Sequence, residues 1–250
     1  MERFSISAEL VTPAIISTLT LDGLLGAILF DQLMDVDKAH AAIPLRCRDG
    51  LYHASAAQPI GKVEVGKHGF IAGLRATHDL DPDLIKQGKG GQPHRHIGLT
   101  RRSDFGNVMN GYQTLVAEAI QWHAEGDAEQ VLELLQEIEF IGKKRTAGFG
   151  QVRGWQLTES DCDGVADAAG QPLRPVPLTM WQGDPNALRA DAAWRPAYWL
   201  PQHRAICAVP KGISSWVPQL FSWTTLADIS FNRLAITGRM SVRCCGVPIR

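Results

Sequence analysis

The sequence predicts an α+β fold in which a small antiparallel sheet carries two helices on one face. Three observations predict it. Period-two strand patterns and helical stripes occur in the order strand, helix, strand, and then strand, helix, strand again. A long glycine-rich stretch separates the two halves. The second helix passes into the final strand through a glycine-rich basic loop, FIGKKRTAGFGQVRGW, over residues 140–155.

The elements follow in order along the chain. Residues 4–10 alternate apolar and polar side chains, the mark of a half-buried strand. Beyond the breaker Pro13, Leu21, Leu24, Leu25, Ile28, Leu29 and Leu33 recur at helical spacing, with Thr20 placed as the N-cap. An extended piece over 42–46 and a turn at Arg48-Asp49-Gly50 lead into a strand over 51–57. Residues 61–110 hold nine glycines and two prolines. Periodicity there is clear only near 69–74, one arm of a hairpin, so the stretch reads as a long insertion. Residues 112–123 form the next strand, with Val116, Ile120 and Trp122 on one face beside an out-of-place Glu118. Asp127 and Gln130 make a capping-box pattern for a helix whose apolar face is Val131, Leu134, Leu135 and Ile138. A strand over 151–157 completes the set.

That order is the ferredoxin-like one, shared by RNA-recognition domains, which leaves one sheet face open to a ligand. Three regions follow: a front domain over 1–158 with its insertion at about 61–110, an acidic small-residue linker over 159–170, and a C-terminal docking region over 171–250. The last holds five of the seven tryptophans and nine of the fourteen prolines, a composition that favours irregular surface. Short strands are predicted within it at 205–209 and 240–245, and a helix at 216–228.

Composition excludes several classes. No apolar run approaches the roughly 20 residues that span a bilayer. The start, MERFSISAEL, lacks a basic segment followed by an apolar one, so no leader is expected. Cys47, Cys162, Cys207, Cys244 and Cys245 are odd in number and contain no CxxC pair, which predicts reduced thiols and a cytoplasmic location rather than a zinc site or disulfide framework. Net charge is −1, yet no acidic residue lies between Asp83 and Asp104, where Lys86, Lys89, Arg95, Arg101 and Arg102 gather. A balanced total with one basic region suits a subunit that grips a polyanion and also docks onto proteins.

The loop is the most telling segment. Gly142, Gly148 and Gly150 permit tight turns and close backbone approach, while Lys143, Lys144 and Arg145 supply charge for phosphate oxygens. A nucleotide-binding P-loop opens a helix, whereas this loop precedes a strand, which favours a polynucleotide backbone as ligand.

The stretch from Gly126 through Leu157, with this loop at its centre, resembles the RAMP superfamily of CRISPR-associated proteins. Leu21-Asp22-Gly23-Leu24-Leu25, Ile43-Pro44-Leu45 and Ala54-Ser55-Ala56-Ala57 make the chain more narrowly similar to the five-type Cas subunit of type IV effector complexes, over residues 1–158. The resemblance implies a non-catalytic subunit that caps the 5′ handle of a CRISPR RNA and contacts the backbone and large subunits. It also implies a helicase partner, indirect engagement of target DNA from plasmids or phages, and no cofactor or metal. The RNA-binding residues it implies are Gly142, Lys143, Lys144, Arg145, Gly148, Phe149 and Gly150 in the loop, with Arg95, Arg101, Arg102 and Asn110 from the insertion. Phe149 is placed either to stack on a base or to lie buried beneath the loop.

A metal-independent endoribonuclease that processes CRISPR RNA is the rival, with His53, His40 or Tyr52 as general acid–base group. Strand alternation puts Tyr52 and His53 on opposite faces, so both cannot reach one scissile phosphate. His94 and His96, with no carboxylate or cysteine beside them, make a poor metal site. No HExxH, GxGxxG or Walker pattern supports an unrelated enzyme.

Overall fold

The computed structural model describes residues 1–72 and 108–211. Within them the chain is mixed α and β, with antiparallel sheets and few helices. Its main sheet has four strands: β1 (Glu2–Leu10), β4 (Gln58–Ile60), β7 (Ala119–Gly126) and β8 (Val152–Glu159), ordered β4-β7-β1-β8. Every neighbouring pair is antiparallel, with Ile6 opposite Trp122 on one side and Leu157 on the other.

Phe4, Ile6, Ala8, Ile120, Trp122 and Ala124 fill the inner face. Helices α1 (Leu21–Leu33) and α3 (Ala128–Gln136) supply the other half of that core through Leu21, Leu25, Ile28, Leu29, Val131 and Leu135. Both helices begin where their capping residues predict: Thr20 Oγ1 accepts from the Gly23 N–H at 3.3 Å, and Asp127 Oδ1 from the Gln130 N–H at 3.1 Å. A short helix, α2 (Val36–Ala41), follows α1 and is capped by Asp35, which accepts from two N–H groups. Its six residues are too few to show a period, and the sequence reading omits it.

Two predicted strands take a different form. Residues 51–57 yield only β3 (Leu51–Tyr52), paired with β2 (Cys47–Arg48) in a tight hairpin. The chain then runs beside β7 through single bridges such as Ala54 to Ala124 before β4 joins the sheet edge. Pro59 in β4 fits an edge strand, because it offers no N–H to a further neighbour. The predicted strand over 112–123 is two strands, broken after Val116: β6 (Val108–Val116) leaves the main sheet, and β7 starts at Ala119. Glu118 stands at that corner, its carbonyl accepting from the Leu10 N–H at 3.0 Å. β6 pairs along nine residues with β5 (Glu64–Ala72), so the insertion begins and ends as one two-stranded ribbon. The hairpin arm expected near 69–74 is the end of β5, which starts earlier; Gly66, Gly69 and Gly111 interrupt the alternation of the rest.

Beyond β8, residues 160–174 return across the front layer. The Ser160 hydroxyl meets His123 Nδ1 at 3.2 Å, and a Cβ on Gly164 would overlap the backbone at His123 and Ala54. Strands β9 (Val176–Pro177), β10 (Arg189–Ala193) and β11 (Arg204–Ala208) form a second sheet ordered β10-β11-β9, with β11 one residue from its predicted place. The elements predicted at 216–228 and 240–245 lie outside the described residues. Among the described residues no helix is long and apolar enough to cross a membrane.

Candidate nucleic-acid interface

The basic loop stands on a floor made by residues 12–16. The Gly150 N–H donates to Pro13 O at 2.9 Å, the Lys143 N–H to Ile15 O at 2.8 Å, and Thr12 Oγ1 to Gly148 O at 2.8 Å. Gly142 and Gly150 are required twice over. Both have positive φ, and an added Cβ would run into the carbonyl of Ile15 at the first and of Ile141 at the second. Gly148 also has positive φ, 84°, but faces open space.

Between these glycines, residues Arg145–Ala147 make one 3₁₀ turn. The N–H groups of Ala147, Gly148 and Phe149 point inward to the carbonyls of Lys144, Arg145 and Lys144. With Lys143 and Gly150 also committed to the floor, these five amides are not offered to an anion, so the loop's anion affinity resides in side chains. Lys143 and Arg145 are exposed, and among the described residues neither meets a carboxylate within ion-pair distance.

Lys144 and Phe149 turn the other way, onto the β5–β6 ribbon. Lys144 Nζ lies 4.8 Å from the Phe70 ring centroid and 5.3 Å from that of Tyr112. Phe149 is half-buried, with its ring edge-on to His68 at 5.2 Å and to Phe70 at 5.7 Å. Asn110 is the register partner of Phe70, so it shares their face of the ribbon. The fold thus gathers Asn110, Lys144 and Phe149 in one place, with Lys143 and Arg145 beside them. Arg95, Arg101 and Arg102 lie outside the described residues. Sequence reasoning missed His68, Phe70 and Tyr112; the period-two recurrence of His68 and Phe70 was the available signal.

The residues of the rival reading sit elsewhere. His53 Nδ1 lies 3.4 Å from Asp163 Oδ2 and 3.8 Å from Glu125 Oε2, with 14% of its side chain exposed. Burial pushes the Asp163 pKa up, but the neighbouring His53 imidazole and hydrogen bonds from the Val165 and Ala166 N–H groups outweigh it and hold the carboxyl at about 2. Tyr52 donates its hydroxyl to His40 O at 2.7 Å, and burial pushes its pKa up to about 12. Burial also lowers the pKa of His40. His53 and Tyr52 therefore meet different partners, although His53 lies beyond β3 and strand alternation is not what separates them. Among the described residues no group of three or more His, Cys, Asp or Glu side chains is placed to hold a metal ion.

The open face of the main sheet is polar, with Ser7 opposite both Gln121 and Gln156. At one end, His123 meets Ser5 Oγ at 2.7 Å, and burial lowers its pKa. Among the described residues this face carries no aromatic pair of the kind that stacks bases in RNA-recognition domains.

The other group that sequence reasoning missed is Arg174, fully buried. Its guanidinium donates to Asp22 Oδ2 at 3.1 Å, to Tyr198 Oη at 2.9 Å and to the carbonyls of Tyr52, Ala54 and Trp194. Tyr198 in turn donates to Asp22 at 2.7 Å, and its ring lies against Gly23. The Asp-Gly pair in the first helix is thus the seat of the C-terminal segment. A carboxylate inside a leucine stripe was the clue.

Residues 81–210 match the family described as CRISPR type IV associated protein Csf3, a span of just over half the chain that contains the basic loop, Arg174 and Tyr198. The chain belongs to this family and is a type IV CRISPR-associated protein. The Leu21-to-Leu25 segment lies outside the matched span, whereas the C-terminal segment to residue 210 lies inside it. No curated protein matches the chain.

Proposed function

We propose that this protein is the non-catalytic subunit that caps the 5′ handle of the CRISPR RNA in a type IV ribonucleoprotein complex. The observation that carries this reading is the loop over 142–150, where exposed Lys143 and Arg145 sit beside an aromatic-lined ribbon. Single-stranded RNA is held by such a combination of cations along its backbone and rings near its bases. The strand order β4-β7-β1-β8, with a helix after β1 and another after β7, supports a ferredoxin-like RAMP domain. The polar sheet face directs the RNA toward the loop and ribbon instead of across the sheet. The protein contacts the backbone and large subunits, works with the system's helicase, engages plasmid or phage DNA only through the guide, and acts in the cytoplasm.

Two measurements test this. Co-expression with the other effector subunits should give a complex that retains the protein and a CRISPR RNA; a protein that stays monomeric and RNA-free contradicts it. Incubation with precursor CRISPR RNA plus chelator should leave the RNA intact. Site-specific cleavage abolished by His53→Ala would establish the endoribonuclease instead.

A further inference from the structure

The three adjacent cations of the loop do not share one task. Lys143 and Arg145 point to solvent, while Lys144 is half-buried and holds a left-handed backbone, φ 60° and ψ 34°. Side chains other than glycine rarely adopt that conformation, and it persists where surrounding contacts enforce it. Here the contacts are visible. The turn sends Lys144 Nζ over the rings of Phe70 and Tyr112, at 4.8 and 5.3 Å, one from each strand of the ribbon. Phe149, from the same loop, closes edge-on against His68 and Phe70. An ammonium is drawn to the negative faces of aromatic rings, so this clasp holds ribbon and loop together.

We infer that Lys144 is a positioning residue of the RNA site: it pins the β5–β6 ribbon to the loop, and Lys143 and Arg145 neutralise phosphates. This assignment rests on the RNA-binding reading for its second half only. The clasp itself is a property of the free protein.

The test therefore has two arms. In the first, lysines of the RNA-free protein are reductively ¹³C-methylated, which keeps their charge, and observed by NMR. The signal lost in Lys144→Arg should be shifted upfield by ring currents and should return toward the exposed-lysine position in Phe70→Leu. A Lys144 signal already at that position overturns the clasp. In the second arm, binding of labelled single-stranded RNA of the repeat sequence is measured against salt concentration. Lys143→Gln and Arg145→Gln should each reduce the slope of log K against log salt by about 0.7, the value for one lost single-strand phosphate contact. Lys144→Gln should weaken binding several-fold with the slope unchanged, and Lys144→Arg, which keeps a cation over the rings, should restore it. A slope reduced by about 0.7 in Lys144→Gln, or unchanged affinity, overturns the positioning role. If the unaltered protein binds no RNA, the proposed function and the positioning role both fall, while the first arm still decides the clasp.

Discussion

At the scale of single residues, the loop separates glycines that look alike in sequence. Gly142, Gly148 and Gly150 all have positive φ, yet only Gly142 and Gly150 are also pressed against backbone. Gly150→Ala should cost about 3 kcal/mol, combining left-handed strain with a clash against a carbonyl that cannot rotate away. Gly148→Ala should cost about 1 kcal/mol, the backbone term alone. Denaturant unfolding of the two variants measures the difference, and equal losses would mean that Gly150 is not pressed against the Ile141 carbonyl. Asp163 offers a test by pH. Its carboxyl titrates near 2 in the folded protein, below the ordinary carboxylate value. The stability it contributes is therefore fully present above about pH 4 and lost as pH falls through about 2. The group is partly open to solvent, so that contribution is on the order of 1 kcal/mol. Stability measured from pH 5 to pH 2 should fall less steeply in Asp163→Asn than in the unaltered protein.

At the scale of elements, legibility followed signal strength. The two main helices carry both an apolar stripe and a capping side chain, and each begins at its predicted cap, Thr20 and Asp127. The strands are less clear because their pattern was read without their partners. The apolar residues from Leu51 to Ala57 suit burial in any conformation, and tertiary packing turned them into bridges beside β7 rather than a regular strand. Glu118, out of place in one long strand, was the visible trace of the corner between β6 and β7. Only one arm of the ribbon was glimpsed, near residues 69–74; its glycines obscured the rest, and with it the aromatic half of the candidate interface. Three loop cations were legible as a cluster, but their opposite directions depend on a left-handed turn at Lys144 that sequence does not announce.

At the scale of the whole molecule, one buried guanidinium joins the front layer to the C-terminal sheet. Arg174 reaches Asp22 in α1, the chain beside β3 and the Trp194–Tyr198 segment together. Arg174→Met should destabilise by about 3–5 kcal/mol, since it leaves the Asp22 carboxylate buried without its cation. Adding Asp22→Asn should recover part of that loss in a double-mutant cycle; strictly additive losses would show that the two groups act independently.

The central claim, that the bend between α3 and β8 holds the RNA backbone, is tested most directly by photo-cross-linking within the purified effector complex, with cross-linked peptides identified by mass spectrometry. Adducts should concentrate on residues 143–149 and on the ribbon strands around His68 and Tyr112. Adducts confined to the polar sheet face around Ser7, Gln121 and Gln156, with the loop peptide unmodified, would contradict it.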